Sequence, residues 1–476
     1  MTFLITDVSY ERGSDGKYHH HQVPCDCLQE YITCHVPPFF ASEVTQRLMR
    51  YVSIYYVVLI KDRFKSACQE IAPHVLKAVI HPSVKCLDFI RDNSHPTLLD
   101  YYKEIEADLI YRTLPLLKGL KVLRLGTMSR VVYLPVEVEG FRNSLEEFAC
   151  RDFWLRDLAA VAGKCQNIRR LDIGVPIDSP SSAFYYISKF KYLEELDLSR
   201  LYFIPESEMH RILLWLAGTA SDEERPEQSE HVVAPSAGTS QHSASTSAAE
   251  NFRTSSARNP GLLKSFGCLN ATDGHIETIS QFYNLTSLVM ANPKPSASLA
   301  PLSNLKLLKN LRLIGCKFSD VQEVLESIGK QLTCLNLVDV SNTDFSFISQ
   351  NCRSLECLHL CFSFSHELLL PPNYLNPESH SLPLPDFPHV FSLQLCLADE
   401  EARLYVLSRF QHLKKLSLVF TDEDLLILES LIERKMLTRL EELYWGCDTV
   451  IQLSGSTATK TVFHYSGRAT VHHIRT

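Results

Sequence analysis

The sequence, 476 residues long, predicts an α/β solenoid, a stack of short parallel strands with helices behind them. Three observations predict it. First, Leu193, Leu196 and Leu198 in YLEELDLSR follow the spacing L-x-x-L-x-L. Only the last two alternate, so a strand covers no more than the end of this hexad. Second, the hexad recurs thirteen times if Val, Ile, Phe, Met, Cys or Trp is admitted for Leu, and many starts (120, 145, 168, 193, then 263, 285, 308, 332, 355) fall 22 to 27 residues apart. Third, the intervals read as helices: Val321, Val324, Leu325 and Ile328 in DVQEVLESIGKQ lie at helical spacing. Such short strands are unstable alone, but stacked side by side their leucines share one continuous core.

In chain order, residues 1–22 are polar and are expected to lack structure. Residues 23–80 contain no hexad. VPCDCLQEYITCHV reads as one helix, stopped by Pro37-Pro38. FFASEVTQRLMRYVSIYYV reads as a second, with Ser42 as N-cap and Val44, Leu48, Tyr51 and Ile54 on one face. These helices cap the raw edge of core that a first repeat exposes. Residues 81–218 carry the hexads that start at Val84, Leu120, Leu145, Ile168 and Leu193. Residues 261–446 carry those that start at Leu263, Leu285, Leu308, Leu332, Leu355, Val390, Leu413 and Leu440.

Helices are expected over Leu158–Cys165, Ala183–Phe190, Met209–Leu216, Ile276–Phe282, Asp320–Gln331, Glu400–Phe410 and Asp424–Lys435, with Ser319 or Asp320 capping the fifth. Between the two halves, residues 219–260 include SAGTSQHSASTSAAENFRTSSARNP, which is too poor in apolar side chains to offset the entropy of ordering. They are expected to form a disordered Ser/Thr-rich insertion. A smaller insertion, Glu367–Pro388, has six prolines and is expected to be an extended loop. In the tail, residues 447–476, Thr449–Leu453 and Thr461–Tyr465 read as a hairpin that caps the far end of the sheet.

The residues that flank the inward leucines point away from the core onto the concave face. In the first half they are charged with mixed sign: Asp88, Arg124, Arg151, Arg170, Asp172, Glu195 and Asp197. In the second half Ile314, Cys334, Val338, Cys357, Cys361, Cys396 and Val419 lie beside a few polar groups. Apolar surface with oriented hydrogen-bonding groups is the make-up of a recognition groove. Arg312, Asn336, His359 and Gln394 are therefore the expected partner-binding residues on the concave face.

Several function classes are disfavoured. A net charge of −8 argues against nonspecific nucleic-acid binding. The longest apolar run, YVSIYYVVLI, is half the length a bilayer requires, so no membrane association is expected. The first residues, MTFLITDVSYERG, lack the basic and apolar regions of a signal peptide, and the fifteen cysteines show no paired framework. A cytoplasmic or nuclear location with reduced thiols is the expectation. No G-x-S-x-G, P-loop, H-E-x-x-H or G-x-G-x-x-G occurs. His359 between Cys357 and Cys361 has no third group to complete a nucleophilic site. His19-His20-His21 with Cys25 and Cys27 lacks paired C-x-x-C spacing. No catalytic residue, cofactor or metal is expected.

The hexads over residues 84 to about 446 resemble the leucine-rich-repeat family. A strand followed by a real helix looks like its ribonuclease-inhibitor-like and F-box-associated kinds. The segment ahead of the repeats is similar to those of substrate receptors of cullin ubiquitin ligases. In Zyg/Zer-type receptors a VHL-like box has an elongin-binding helix, L-x-x-x-C-x-x-x-(aliphatic), followed by a cullin-binding helix, Φ-P-x-x-Φ-x-x-x-Φ. Here Val23-Pro-Cys-Asp-Cys27-Leu-Gln-Glu-Tyr31 keeps the cysteine, with Val for Leu and Tyr for the aliphatic residue. Phe40-Ala-Ser-Glu-Val44-Thr-Gln-Arg-Leu48 keeps the three apolar anchors, with Ala41 in place of proline. FFASEVTQRLMRYVS also resembles a degenerate F-box opening helix.

The box resemblance implies that Val23 and Cys27 enter a groove on elongin C while Phe40, Val44 and Leu48 meet the cullin; the F-box resemblance implies instead that FFASEVTQRLMRYVS meets a Skp-type adaptor. It further implies that the repeats hold a protein substrate. The armadillo-like domain with which such receptors capture substrates has no counterpart after the repeats, so their substrate preference does not transfer. A leucine-rich-repeat scaffold with no ligase connection is the alternative.

Overall fold

The structure, a computed structural model, describes residues 10–12, 18–20, 22–49, 77–88, 114–125, 143–153, 155–176, 183–201, 204–218, 260–362, 368–370, 387–397, 400–410, 412–418, 437, 439–445, 449–452, 460–461 and 473–474. Among them, fourteen strands form one sheet in sequence order, all neighbours parallel except the last pair. The hexad alignment is the strand register. Asp88 pairs with Arg124, then Ala149, Asp172, Asp197 and Gly267 follow, one strand after another. The row continues through Val289, Arg312, Asn336, His359, Gln394, Ser417 and Tyr444. The fold is a leucine-rich-repeat solenoid.

Alternation decides which side chains are buried. In Cys334–Val338, Leu335 and Leu337 are fully buried while Cys334, Asn336 and Val338 are half-buried, and Cys357–Cys361 and Ser392–Cys396 repeat this pattern. The first leucine of each hexad closes the core from the turn: Leu193, Leu285, Leu308 and Leu332 are all fully buried.

A second ladder runs beside the first. The carbonyl of the second hexad residue accepts two N–H groups from the next repeat, Lys309 O from Thr333 N and Cys334 N at 2.9 and 3.0 Å, for example. The same doubly used acceptor recurs from Lys85 to Lys414. It also crosses the place where the chain leaves the stack. Lys264 N and Ser265 N bond to Glu194 O, and Leu196 pairs with Phe266. Residues 219–259 of the expected insertion lie outside the described residues, and the strands on either side of it are direct neighbours.

At the end of several strands the chain turns through a left-handed residue: Asn270, Asn292, Gly315 and Asp339 have φ of 55, 45, 67 and 51°. Each falls two residues past its hexad. Gly, Asn and Asp occupy this conformation more cheaply than other residues. Their N–H groups extend the ladder by one more bond, to Ala291, Ile314, Val338 and Cys361.

Helices run over Leu155–Lys164, Ala183–Ile187, Glu206–Leu216, Asp273–Ile279, Phe318–Ile328, Phe345–Asn351 and Glu400–Leu407. The expected helix Asp424–Lys435 lies outside the described residues. Neither Ser319 nor Asp320 is an N-cap. The helix starts at Phe318, whose ring is buried, and Lys317 takes the extended capping conformation. Packing of Phe318 against the core sets this boundary ahead of the better capping residues.

Three departures mark the ends and the smaller insertion. Residues Tyr10–Arg12 pair antiparallel with Tyr18–His20, within a stretch expected to lack structure. Most of Glu367–Pro388 lies outside the described residues, but Leu368–Leu369 pairs with Thr343–Asp344. At the far end Thr449–Gln452 folds back antiparallel onto Glu442–Trp445, while Lys460–Thr461 pairs with His473–Ile474. Of the expected pairing of 449–453 with 461–465, the described residues 449–452 and Thr461 have these other partners, and the rest lies outside the described residues. The open edge of the last repeat offers unpaired backbone and takes the nearest strand instead.

Candidate functional site

The sheet face that points away from the core has two chemically different halves. In the first, the charges are spent on one another. Glu147, with a side chain 8% exposed, receives Arg124 on one side and Arg170 on the other at 3.0 Å. Arg124 also reaches Asp88 at 3.0 Å, Arg170 reaches Glu195 at 3.5 Å, and Arg200 reaches Asp172 at 3.7 Å. The hydrogen bond that Arg124 donates to Glu147, ahead of the opposing effect of burial, raises the Arg124 pKa above its ordinary value. A parallel row on the adjoining turn is neutralised likewise, with Glu194 held between Arg169 and Lys264 at 2.7 Å each. The Lys264 hydrogen bond is the first cause of the lowered Glu194 pKa. The expected mixed charge is therefore present as an internal ladder, in which Asp88 and Glu147 are buried. The side chain of Arg151 lies outside the described residues.

The second half differs. Arg312, Asn336, His359 and Gln394, the four residues expected to bind a partner, occupy one row across four adjacent strands. Arg312 is exposed and, among the described residues, makes no ion pair. Asn336 and His359 are half-buried and joined by a hydrogen bond, Nδ2 to Nδ1, of 3.3 Å. Burial, and then the charge of Arg312, lower the His359 pKa. A neutral ring that accepts at Nδ1 carries its proton on Nε2, so the row presents donors from Arg312, His359 and Gln394. The Asn336 carbonyl oxygen is buried without a hydrogen-bond partner.

Cysteines frame this row. Cys334 pairs in register with Cys357 at the strand starts, and Cys361 pairs with Cys396 at the strand ends. Reading along one strand placed Cys357 beside Cys361. Across strands, the neighbours are Cys334 and Cys357. The signal was in the aligned hexads, where both fill the third position of successive copies.

At the N-terminal end two helices cover the first strand. Gln22–His35 packs on the core through Leu28 and Ile32, with Val36 just past its end, leaving Cys27 exposed and Tyr31 60% exposed. A second helix occupies residues 41–49 and follows directly on the 3-10 turn Pro38–Phe40, so Ser42 lies inside its first turn and is not an N-cap. The Ser42 hydroxyl instead accepts from Lys85 N and Cys86 N, both at 3.1 Å. The Gln46 side chain bonds to both the N–H and the carbonyl of Asp88, on the strand that ends the sheet among the described residues. Thr45, fully buried, accepts from His81 N at 3.0 Å.

The residues that resemble docking motifs fall on other faces. Phe40 is 48% exposed, and its ring lies tilted against that of Phe39 with centroids 4.4 Å apart. Val44 and Leu48 are half-buried, and Leu48 also packs on the core. The side chain of Val23 lies outside the described residues, as do Tyr51 and Ile54.

No family model and no curated protein matches this sequence. Solved structures do match it. A crystal structure of the Rad7 and Elc1 complex from yeast aligns at 12% identity over 78% of this chain and 92% of that one, with a TM-score of 0.38. An internalin from Listeria monocytogenes aligns at 13% identity over 72% and 74%, with a TM-score of 0.31. A leucine-rich-repeat protein from Leptospira interrogans aligns at 14% identity over 78% and 91%, with a TM-score of 0.29. At these identities and scores none bears on activity or partner.

Proposed function

We propose that this chain is a protein-recognition subunit of a cullin-type ubiquitin ligase, with the second half of the open face holding the substrate and the N-terminal helices holding the adaptor. The observation that carries the recognition role is the contrast between the two halves of the sheet. Arg124, Arg170 and Arg200 are each satisfied by carboxylates, whereas Arg312 stands free among the described residues beside Asn336, His359 and Gln394. A row of donors around one unspent cation fits a protein segment that presents a carboxylate and carbonyl acceptors. Arg312→Ala should weaken capture of the partner at least about tenfold, as for a charged group paired at an interface. Unchanged capture by an Arg312→Ala, Gln394→Ala variant would remove this face from the reading.

The adaptor role is supported by the division of labour in the N-terminal helices. Capping uses Ala41, Ser42, Thr45, Gln46 and Met49, which leaves Cys27, Tyr31, Phe39 and Phe40 exposed, with the three rings in contact only with His35 or with each other among the described aromatic contacts. Affinity capture of the full chain should recover elongin B/C or a Skp-type adaptor with its cullin. A Cys27→Asp, Phe40→Ala variant should lose the adaptor and keep the substrate. The second reading, a scaffold with no ligase connection, is favoured by the capping work of residues 41–49. Recovery of neither adaptor by the parent chain selects it.

A further inference from the structure

The helix Asp273–Ile279 follows directly on Thr272, whose backbone N–H donates to Nδ1 of His275 at 3.3 Å. This is one half of a capping box, in which the side chain three residues past the cap reaches back to it. Glutamate or glutamine ordinarily fills that place, and histidine differs from both in one respect. A carboxylate or amide oxygen accepts at neutral and mildly acidic pH alike, whereas an imidazole nitrogen accepts only while the ring is neutral.

A backbone N–H can only donate, so the Thr272 bond fixes the tautomer: Nδ1 carries the lone pair and Nε2 the proton. The His275 side chain is buried, with the residue 3% exposed, at the contact with the preceding repeat. Its ring centroid lies 6.0 Å from that of His210 on the helix Glu206–Leu216, with the ring planes 29° apart. The other charged groups around it are Glu206 of that helix, Lys294 after the strand Ser287–Ala291, and Asp273 and Glu277 of its own helix. The segment Ala300–Asn304, which packs on the other side, holds no titratable residue. Glu206 faces Lys294 at 4.0 Å and Asp273 accepts from Ser298 N at 2.8 Å, so these two carboxylates have donors of their own.

We propose that His275 is a pH-sensitive catch in the repeat stack: a proton taken up from solvent at Nδ1 releases Thr272 N, frees the start of Asp273–Ile279 and loosens its seam with Glu206–Leu216. The protonated ring would set one N–H against another. It would also place a buried cation in the first turn of a helix, where the exposed amides oppose it.

The position of the seam gives the catch its consequence. The described chain breaks off after Gly218 and resumes at Pro260, so the two helices flank the junction between the halves of the array. On the sheet side this junction is held by Lys264 N and Ser265 N bonding to Glu194 O at 2.8 and 3.2 Å, and backbone bonds do not titrate. Acid therefore opens the helical side and leaves the strand side closed. Burial is the first cause that lowers the His275 pKa, Glu206 opposes it, and His210 and Lys294 lower it further. The released ring has the higher pKa, so the closed form is fully favoured above about 6.5 and loses ground as pH falls toward the folded value. None of this depends on what the open face binds.

The test is hydrogen exchange of the full chain at about pH 7.5 and 5.5, with rates corrected for the intrinsic pH dependence of exchange. Amides of Asp273–Ile279 should lose protection at the lower pH by up to about tenfold, the factor by which protons then favour a released histidine of ordinary pKa. Amides of the helix Phe318–Ile328, which lies beyond Ala300–Asn304, should keep theirs. His275→Gln supplies an acceptor that does not titrate and should keep protection of Asp273–Ile279 at both pH values. Unchanged protection of Asp273–Ile279 in the unmutated chain, or equal loss in both helices, overturns the proposal. So does a glutamine variant that responds to pH as the parent does. Where that variant fails to fold, the comparison of the two helices in the unmutated chain still decides.

Discussion

The amide nitrogen of Asn336 lies 3.3 Å from Nδ1 of His359 on the next strand, which fixes the ring as an acceptor on that side. Burial, and then the charge of Arg312, hold the His359 pKa below the ordinary 6.5, which favours the neutral ring in the folded chain. His275 is displaced in the same direction, mainly by burial, and accepts from Thr272 N. Between the folded pKa and 6.5 the unfolded chain binds more protons, so stability falls as pH falls through this window and is fully present above it. Denaturant unfolding at about pH 7.5 and 5.5 should show the loss. His359→Gln should reduce the difference between the two pH values and leave the share that belongs to His275.

Glu147 supplies the next prediction. Its carboxylate is 8% exposed and is the shared acceptor of Arg124 and Arg170. Glu147→Ala leaves two guanidinium groups facing each other across a strand with only Asp88 and Glu195 to offset them. The expected cost is about 2–3 kcal/mol, below the value for a fully buried pair because the arginines are partly solvated. Glu146→Ala, one residue earlier on a side chain 45% exposed, removes a pair with Lys121. Its cost should stay within about 0.5 kcal/mol. Urea unfolding of the two variants separates them.

Gly315 tests the turn that the repeats share. Its φ is 67°, and a Cβ there would stand 2.0 Å from Oδ1 of Asn292, the equivalent residue of the preceding repeat. Gly315→Ala combines left-handed backbone strain of about 1–2 kcal/mol with displacement of that side chain. An Asn292→Ala background should relieve the second part and not the first. Additive costs in the double variant, read from unfolding midpoints, would show that the two turns do not touch.

These results also show where sequence reading reached and where it stopped. The strand register was legible because two periods coincide in the leucines: alternation within each strand and a repeat of about 24 residues between strands. The site row of Arg312, Asn336, His359 and Gln394 was legible for the same reason. Turn and cap positions were not, because each depends on a single residue's conformation. Asn270, Asn292, Gly315 and Asp339 share a φ sign, not a residue type. Ser42 has the chemistry of an N-cap, yet its hydroxyl is used by the backbone of the first repeat. The pairing of Arg124 with Glu147 and of Cys334 with Cys357 needed hexads to be read against one another, since the partners are 23 residues apart in sequence.

Ser42 and Gln46 close the first edge of the sheet, and their loss should be local. Ser42→Ala removes the hydroxyl that accepts from both Lys85 N and Cys86 N, at about 1–2 kcal/mol. Gln46→Ala removes its side-chain bonds to the N–H and the carbonyl of Asp88. Hydrogen exchange should accelerate at Lys85–Asp88 and stay unchanged at Cys334–Val338, because each repeat of a solenoid touches only its neighbours. Phe40→Ala should leave exchange at both strands unaltered, since that ring is exposed.

The largest single effect is expected at Phe345. Its ring is fully buried and lies 4.9 Å from Phe387, 6.3 Å from Phe410 and 6.4 Å from Tyr405, while Phe387 stacks on Phe410 at 5.0 Å. Phe345 opens the helix Phe345–Asn351, whose cap Asp344 accepts from Phe347 N at 2.9 Å. Phe387 and Phe410 precede the strands Ser392–Cys396 and Lys415–Leu418. The cluster thus joins consecutive repeats where the chain makes its longer excursion between Cys361 and Ser392. Phe345→Ala should cost about 3–5 kcal/mol, with Phe345→Leu near half of that. Because the interface between repeats is weakened at one place, urea unfolding of the alanine variant should split into two phases, the repeats after Phe387 melting first. A single transition at the parent midpoint would show that these rings do not bind the repeats together.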